Sequence, residues 1–141
     1  MENIYSNIYT FNKKILKKTI KLLKKGNIAA LPTETVYGLA GNAYSNKAVN
    51  KIFKLKKRPT INPLIVHYLN TKNLEKDVIL NDAFRKLYKK FCPGPLTFVL
   101  KKNVNTKINS LATAKLNTVA IRFPKHKIIR ILLKMLNFPL A

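Results

Sequence analysis

The chain has 141 residues, a length that fits one domain with a sizeable core. With 47% apolar residues, 4 Gly and 7 Pro, its composition excludes collagen-like, low-complexity and wholly disordered chains. A formal charge of +23 points toward a polyanionic partner, yet 24 Lys, 16 Asn and 14 Ile follow A- and T-rich codons, and only four Arg are present. Sequence-specific DNA readers exploit the planar guanidinium, so DNA is not expected as a partner.

Taken in chain order, Asn12 caps a helix whose apolar residues Leu16, Ile20 and Leu23 recur at i, i+4, i+7, and Gly26 is placed to end it. Ile28–Leu31 predicts a short strand stopped by Pro32, followed by a loop from Thr33 to Gly41. A second helix is expected from Asn46 to Lys57, and a strand from Leu64 to Tyr68. Asn81 and Asp82 open a helix with Phe84, Leu87 and Phe91 on its face, which the Pro93-Gly94-Pro95 turn breaks before a strand from Leu96 to Leu100. After a polar stretch, Val119–Phe123 predicts a strand and Ile128–Leu136 a helix with Ile128, Leu132 and Met135 buried. Phe138–Ala141 resembles the entrance to one more strand. This alternation indicates an α/β domain, whose sites gather in loops beyond strand ends.

The single cysteine, Cys92, excludes an internal disulfide and fits a reducing compartment. Met1–Lys14 has no signal-peptide core, and no apolar run approaches a membrane span, so a cytoplasmic protein without a membrane partner is expected.

Three loops concentrate the chemistry. In Pro32–Leu39 two hydroxyls, a carboxylate and a phenol follow a strand within six positions. In Lys56–His67, cations leaving a helix are flanked by two prolines and suit an anionic group, although cations also simply complete helix C-termini. His67, at a strand end, reads either as a structural histidine or as a ligand. Strand alternation puts Thr118, Ala120 and Arg122 on one face, where a hydroxyl and a guanidinium can meet a carboxylate or phosphate. Pro93–Thr97 reads as a rigid turn. No Walker loop, GxGxxG, HExxH or GxSxG occurs, and no metal site is expected.

Together, Leu31–Leu39 (LPTETVYGL), Lys56–Pro59 continuing to Asn62–His67, Pro93–Thr97 and Val119–Pro124 resemble the YrdC family of L-threonylcarbamoyladenylate synthases, in family order. The resemblance implies a twisted mixed α/β sheet with flanking helices around a basic cavity. It implies a nucleotidyltransferase that joins L-threonine, bicarbonate and ATP, with Mg²⁺ carried by the ATP, into threonylcarbamoyl-AMP and diphosphate. The product would pass to the tRNA threonylcarbamoyl transferase complex for N6-threonylcarbamoyladenosine formation in tRNA processing. Residue by residue, Lys56 and Arg58 would act catalytically on the ATP phosphates, with Asn62 and Thr118 beside the nucleotide. Thr35, His67 and Arg122 would hold threonine. The family's strand near Pro139–Ala141 runs into a Ser-Ala-Asn motif that this sequence lacks, so a single domain over 1–141, missing its C-terminal part, is expected. A noncatalytic module binding double-stranded RNA, tRNA or a nucleotide is the alternative.

Overall fold

The computed structural model describes residues 7–141. The first helix, α1 (Lys13–Lys24), begins where the Asn12 side chain accepts the Ile15 amide at 2.9 Å, and ends at Gly26, whose φ of +72° suits a residue without Cβ. The predicted cap and stop are both observed.

Next come β1 (Ala29–Pro32) and β2 (Tyr37–Ala40), an antiparallel hairpin with Ala29 opposite Ala40 and Pro32 opposite Tyr37. The expected Thr33–Gly41 loop therefore shrinks to the four residues Thr33–Val36. Its second half continues as a strand because Thr33 closes the turn locally, donating both its amide (3.0 Å) and its hydroxyl (2.7 Å) to the Val36 carbonyl.

Helix α2 (Asn46–Lys56) is capped by Ser45, and β3 (Ile65–His67) follows. Helix α3 (Asp82–Phe91) has the expected Asn81 cap, its side chain accepting the Phe84 amide at 2.8 Å. The α3 face is rotated from the sequence expectation: Phe84 is buried and Tyr88 packs beside it, whereas Leu87 and Phe91 are exposed. Aromatic partners decide this, since the Phe84 ring meets Phe98 at 4.8 Å and Tyr88 meets Phe123 at 4.7 Å, both edge-on.

The remaining elements are β4 (Thr97–Lys101), β5 (Thr118–Arg122) and α4 (Lys127–Met135). In α4 the buried residues are Ile129, Leu132 and Leu133, with Met135 half-exposed, so the inward stripe lies one position from the expected Ile128–Leu132–Met135. Between β4 and β5, the polar stretch is itself packed, with Ile108, Ala112 and Thr113 buried.

The larger sheet has the order β3-β5-β4, with β3 parallel and β4 antiparallel to β5. The chain's last residues join it to the hairpin. Leu140 exchanges both backbone bonds with His67 (2.7 and 3.2 Å), and Ala141 exchanges both with Gly41 (3.1 and 2.9 Å). The expected strand entrance is thus an antiparallel segment lying between β2 and β3.

Successive residues of a strand face opposite sides, and here they join different cores. Ala141 belongs with Val66, Ile121, Phe98 and the α2–α3 side chains, while Leu140 belongs with Leu31, Ala40, Leu23 and the α4 leucines. One side of the sheet therefore carries α2 and α3. On the other side α1 and α4 cover the hairpin and Leu140, so among the described residues β3, β5 and β4 keep an uncovered face beside them. No helix among the described residues is long and apolar enough to cross a membrane.

Candidate functional site

Strand register assembles the uncovered face. Residues 65 and 67 of β3, 118, 120 and 122 of β5, and 97, 99 and 101 of β4 share it, because Ile65 lies opposite Ala120, His67 opposite Arg122, Thr97 opposite Arg122 and Lys101 opposite Thr118. Their neighbours Val66, Val119, Ile121, Phe98 and Leu100 are buried in the opposite core. Val99, 69% exposed at the middle of this face, shows how open it is.

One end of the face is built around Arg122. Its Nε donates to Thr97 Oγ1 at 3.0 Å, which fixes the guanidinium plane and leaves its terminal nitrogens without partners among the described residues. Thr97 was not singled out in the sequence, where Pro93–Thr97 read only as a turn. Rigidity and site are connected here. A Cβ on Gly94 would meet the Phe91 carbonyl at 2.6 Å, and the Gly94 amide donates to the Phe123 carbonyl at 2.8 Å, so the turn fixes where β4, and Thr97, begin. The usable sequence signal was alternation within Thr97–Lys101, which makes every second residue face Arg122's side.

His67 stands beside Arg122. Burial first, and then the positive charge of Arg122, push its imidazole down to about 4, so it is neutral near pH 7. A neutral imidazole beside a guanidinium can donate or accept a hydrogen bond without adding charge.

Thr35 sits exposed on the hairpin turn that Thr33 organises, with the two hydroxyl oxygens 3.2 Å apart. This turn is tied to the β5–α4 connection, since Glu34 Oε2 accepts the Lys125 and His126 amides at 3.3 and 3.4 Å. Glu34 is thus a tether whose sequence signal, a lone acid among hydroxyls, did not reveal its partners. Its charge also reaches His67, opposing the downward shift.

The second end holds the loop that leads into β3. Arg58 turns back on that loop, donating from Nε to the Asn62 carbonyl (3.1 Å) and from a terminal nitrogen to the Pro63 carbonyl (2.9 Å). Part of its fork therefore shapes the loop, and its other donors have no partner among the described residues. Lys56, the last residue of α2, and Asn62 are exposed. Lys57 reverses the chain between them with φ +48°. This loop enters β3 two residues before Ile65, whose partner Ala120 neighbours Thr118. The register thus places Thr118 and the Arg58 loop toward one end, and His67, Thr97 and Arg122 toward the other. Thr118 to Arg122 is four strand steps, about 13 Å.

The face offers cations, hydroxyls, a neutral imidazole and backbone groups. Among the described residues no group of three or more His, Cys, Asp or Glu side chains could hold a metal ion. Two clefts of about 500 and 290 Å³ lie elsewhere, and none of the residues named for this face lines them.

Fold and face define an α/β domain with an elongated, anion-compatible site on an uncovered sheet. The sequence profile of the Sua5/YciO/YrdC family, described as "Telomere recombination", matches residues 21–141. The chain belongs to this family. It is 41% identical over 122 residues to the threonylcarbamoyl-AMP synthase of Pyrococcus abyssi, covering 84% of this chain and 35% of that protein. The same name attaches to a Bacillus subtilis relative, 41% identical over 122 residues, with 85% and 35% covered. Among solved structures, Pyrococcus abyssi Sua5 complexed with L-threonine superimposes with a TM-score of 0.87 at 36% identity, covering 94% of this chain and 39% of that one. The chain thus spans about a third of the length of these relatives.

Proposed function

We propose that this chain carries the threonylcarbamoyl-AMP synthase site of its family. The observation that supports this most is the two-ended face, with Arg122, Thr97 and His67 at one end of β5 and Thr118 with the Arg58 loop at the other. An amino acid joined to a nucleotide needs such an arrangement, and the similar Pyrococcus structure is described as a complex with L-threonine.

In this reading, the terminal nitrogens of Arg122 pair with the threonine carboxylate, while Thr35 and His67 hold its polar groups. The amine adds to bicarbonate, losing water, and gives a carbamate. A carbamate oxygen then bonds to the α-phosphorus of ATP as the bond to the bridging oxygen breaks, and diphosphate leaves. No protein nucleophile is required. Lys56 and Arg58 neutralise charge spreading over the phosphates, Asn62 and Thr118 orient the nucleotide, and catalysis is positioning plus electrostatic stabilisation. Among the described residues one carboxylate lies near this face, Glu34, already engaged with two amides, so Mg²⁺ enters with the ATP as part of the substrate.

The product serves tRNA N6-threonylcarbamoylation by a transferase complex, and the work is cytoplasmic. Incubation with ATP, Mg²⁺, bicarbonate and L-threonine tests the reading: threonine-dependent diphosphate release is expected, and its absence from a folded sample refutes it. A second reading, a noncatalytic nucleotide- or RNA-binding form, is favoured by the charge of +23.

A further inference from the structure

Past the end of β5 the chain enters α4 through Phe123, Pro124, Lys125 and His126. No strand ladder serves this connection, so its backbone groups need other partners. Each is taken by a different element. The Phe123 carbonyl accepts the Gly94 amide at 2.8 Å. The Pro124 carbonyl accepts a terminal nitrogen of Arg130, on α4, at 3.2 Å, and the same nitrogen reaches the Leu69 carbonyl beyond β3 at 3.4 Å. The Lys125 and His126 amides donate to Glu34 on the hairpin turn. Among the described residues the Leu69 and Pro124 carbonyls and these two amides have no further partner, so two charged side chains alone hold them.

These ties join the three elements that carry the proposed threonine-binding residues. Glu34 immediately precedes Thr35, Leu69 lies two residues past His67, and Pro124 lies two past Arg122. The Tyr68 amide, donating to the Arg122 carbonyl at 3.0 Å, makes the last bond between the β3 and β5 chains, and Arg130 continues the pairing where that ladder stops. The influence of the Glu34 charge on His67 shows independently that the turn stands close to this end of the face. Among the described residues Glu34 and Arg130 form no ion pair with each other, so any coupling between them passes through the backbone they share.

We propose that Glu34 and Arg130 are positioning residues for L-threonine, acting together through the 123–126 connection to hold Thr35, His67 and Arg122 at one spacing. The proposal rests on the synthase reading of this face. Neither side chain touches the amino acid; each fixes backbone beside a residue that does, and small displacements of such residues are costly.

Calorimetric titration of L-threonine into the folded chain tests this with Glu34→Ala, Arg130→Met and the double variant. Each single variant is expected to bind threonine about fivefold more weakly, the effect of losing one net hydrogen-bonded tie. Because both act through one connection, the double variant is expected to lose about tenfold, short of the roughly 25-fold product of independent sites. Glu34→Gln keeps an accepting oxygen and is expected to bind within about twofold of the unsubstituted chain. ATP affinity is expected to stay constant in all four variants, since the nucleotide end lies about 13 Å away along β5. Glu75→Ala with Arg85→Met, which removes an exposed ion pair elsewhere, is the matched control and leaves both affinities unchanged. Without any ligand, the Lys125 and His126 amides are expected to exchange hydrogen about fivefold faster in Arg130→Met, although the guanidinium bonds neither. Unchanged threonine affinity in the single variants, fully multiplied losses in the double variant, no rescue by Gln, an equal loss of ATP affinity, the same loss in the control or unchanged exchange would each overturn the proposal and leave the synthase reading standing. An unsubstituted folded chain that binds no threonine would overturn both.

Discussion

The pairing of Thr97 with Arg122 yields a quantitative prediction about ligand binding. Thr97→Val removes the oxygen that accepts Arg122 Nε at 3.0 Å while keeping a β-branched side chain suited to a strand. Hydrogen bonds to charged groups contribute about 1.5–3 kcal/mol, but water reaches this half-buried pair and replaces part of the loss, so about 1 kcal/mol of positioning is at stake. At 1.4 kcal/mol per decade, threonine affinity should fall about five- to tenfold. Calorimetric titration of L-threonine into the folded chain reads this directly, without requiring turnover. Thr97→Ser, which restores an acceptor, should bind within about twofold of the unsubstituted protein, and ATP affinity should be unchanged in both variants. Unaltered threonine binding in Thr97→Val, no rescue by Ser, or an equal loss of ATP affinity would refute the assignment of Thr97 as the residue that positions Arg122.

Three further outcomes follow from the same structure. Arg58→Lys cannot close on both the Asn62 and Pro63 carbonyls, so ATP binding should weaken about tenfold while threonine binding stays constant, as titrations of each ligand would show. Asp77→Asn leaves two of the four donors to this buried carboxylate, the Tyr44, Tyr68 and Thr106 hydroxyls and the Lys107 amide, facing an amide NH₂ and should cost about 3 kcal/mol in chemical denaturation. The pH dependence of stability carries the third. His67 is lowered from 6.5 to about 4 in the folded chain, so the unfolded chain binds the extra proton between those values. The stability contributed by neutral His67 is full above pH 6.5, falls as pH drops toward 4 by up to about 3 kcal/mol, and is then constant. Denaturation midpoints across this range should show the slope in the unsubstituted chain and lack it in His67→Gln.

Much of this was legible because local rules and tertiary packing agree over most of the chain. Asn12, Asn81 and Gly26 act as their chemistry predicts, and the period-2 pattern of Thr118–Arg122 places Thr118 and Arg122 on one face. Misreadings occurred where distant partners decide. The α3 face turned toward Tyr88 because Phe98 and Phe123, remote in sequence, supply its aromatic contacts. Likewise α4 buries Ile129 and Leu133 because it packs on β1 and α1 together. The hairpin was missed because Pro32 and the hydroxyl-rich turn mask a strand only four residues long. Site residues were legible through motifs, but Thr97, Glu34 and the Asp77 network act through partners 9 to 92 positions away, and no local pattern encodes such pairings.

The central claim is that this sheet face joins an amino acid to a nucleotide. Its most direct test is diphosphate release by the 141-residue chain given ATP, Mg²⁺ and bicarbonate, with and without L-threonine. The account predicts release that depends on threonine and is abolished by Lys56→Ala and by Arg58→Ala. A cooperatively melting sample that releases no diphosphate, or releases it equally without threonine, would contradict it.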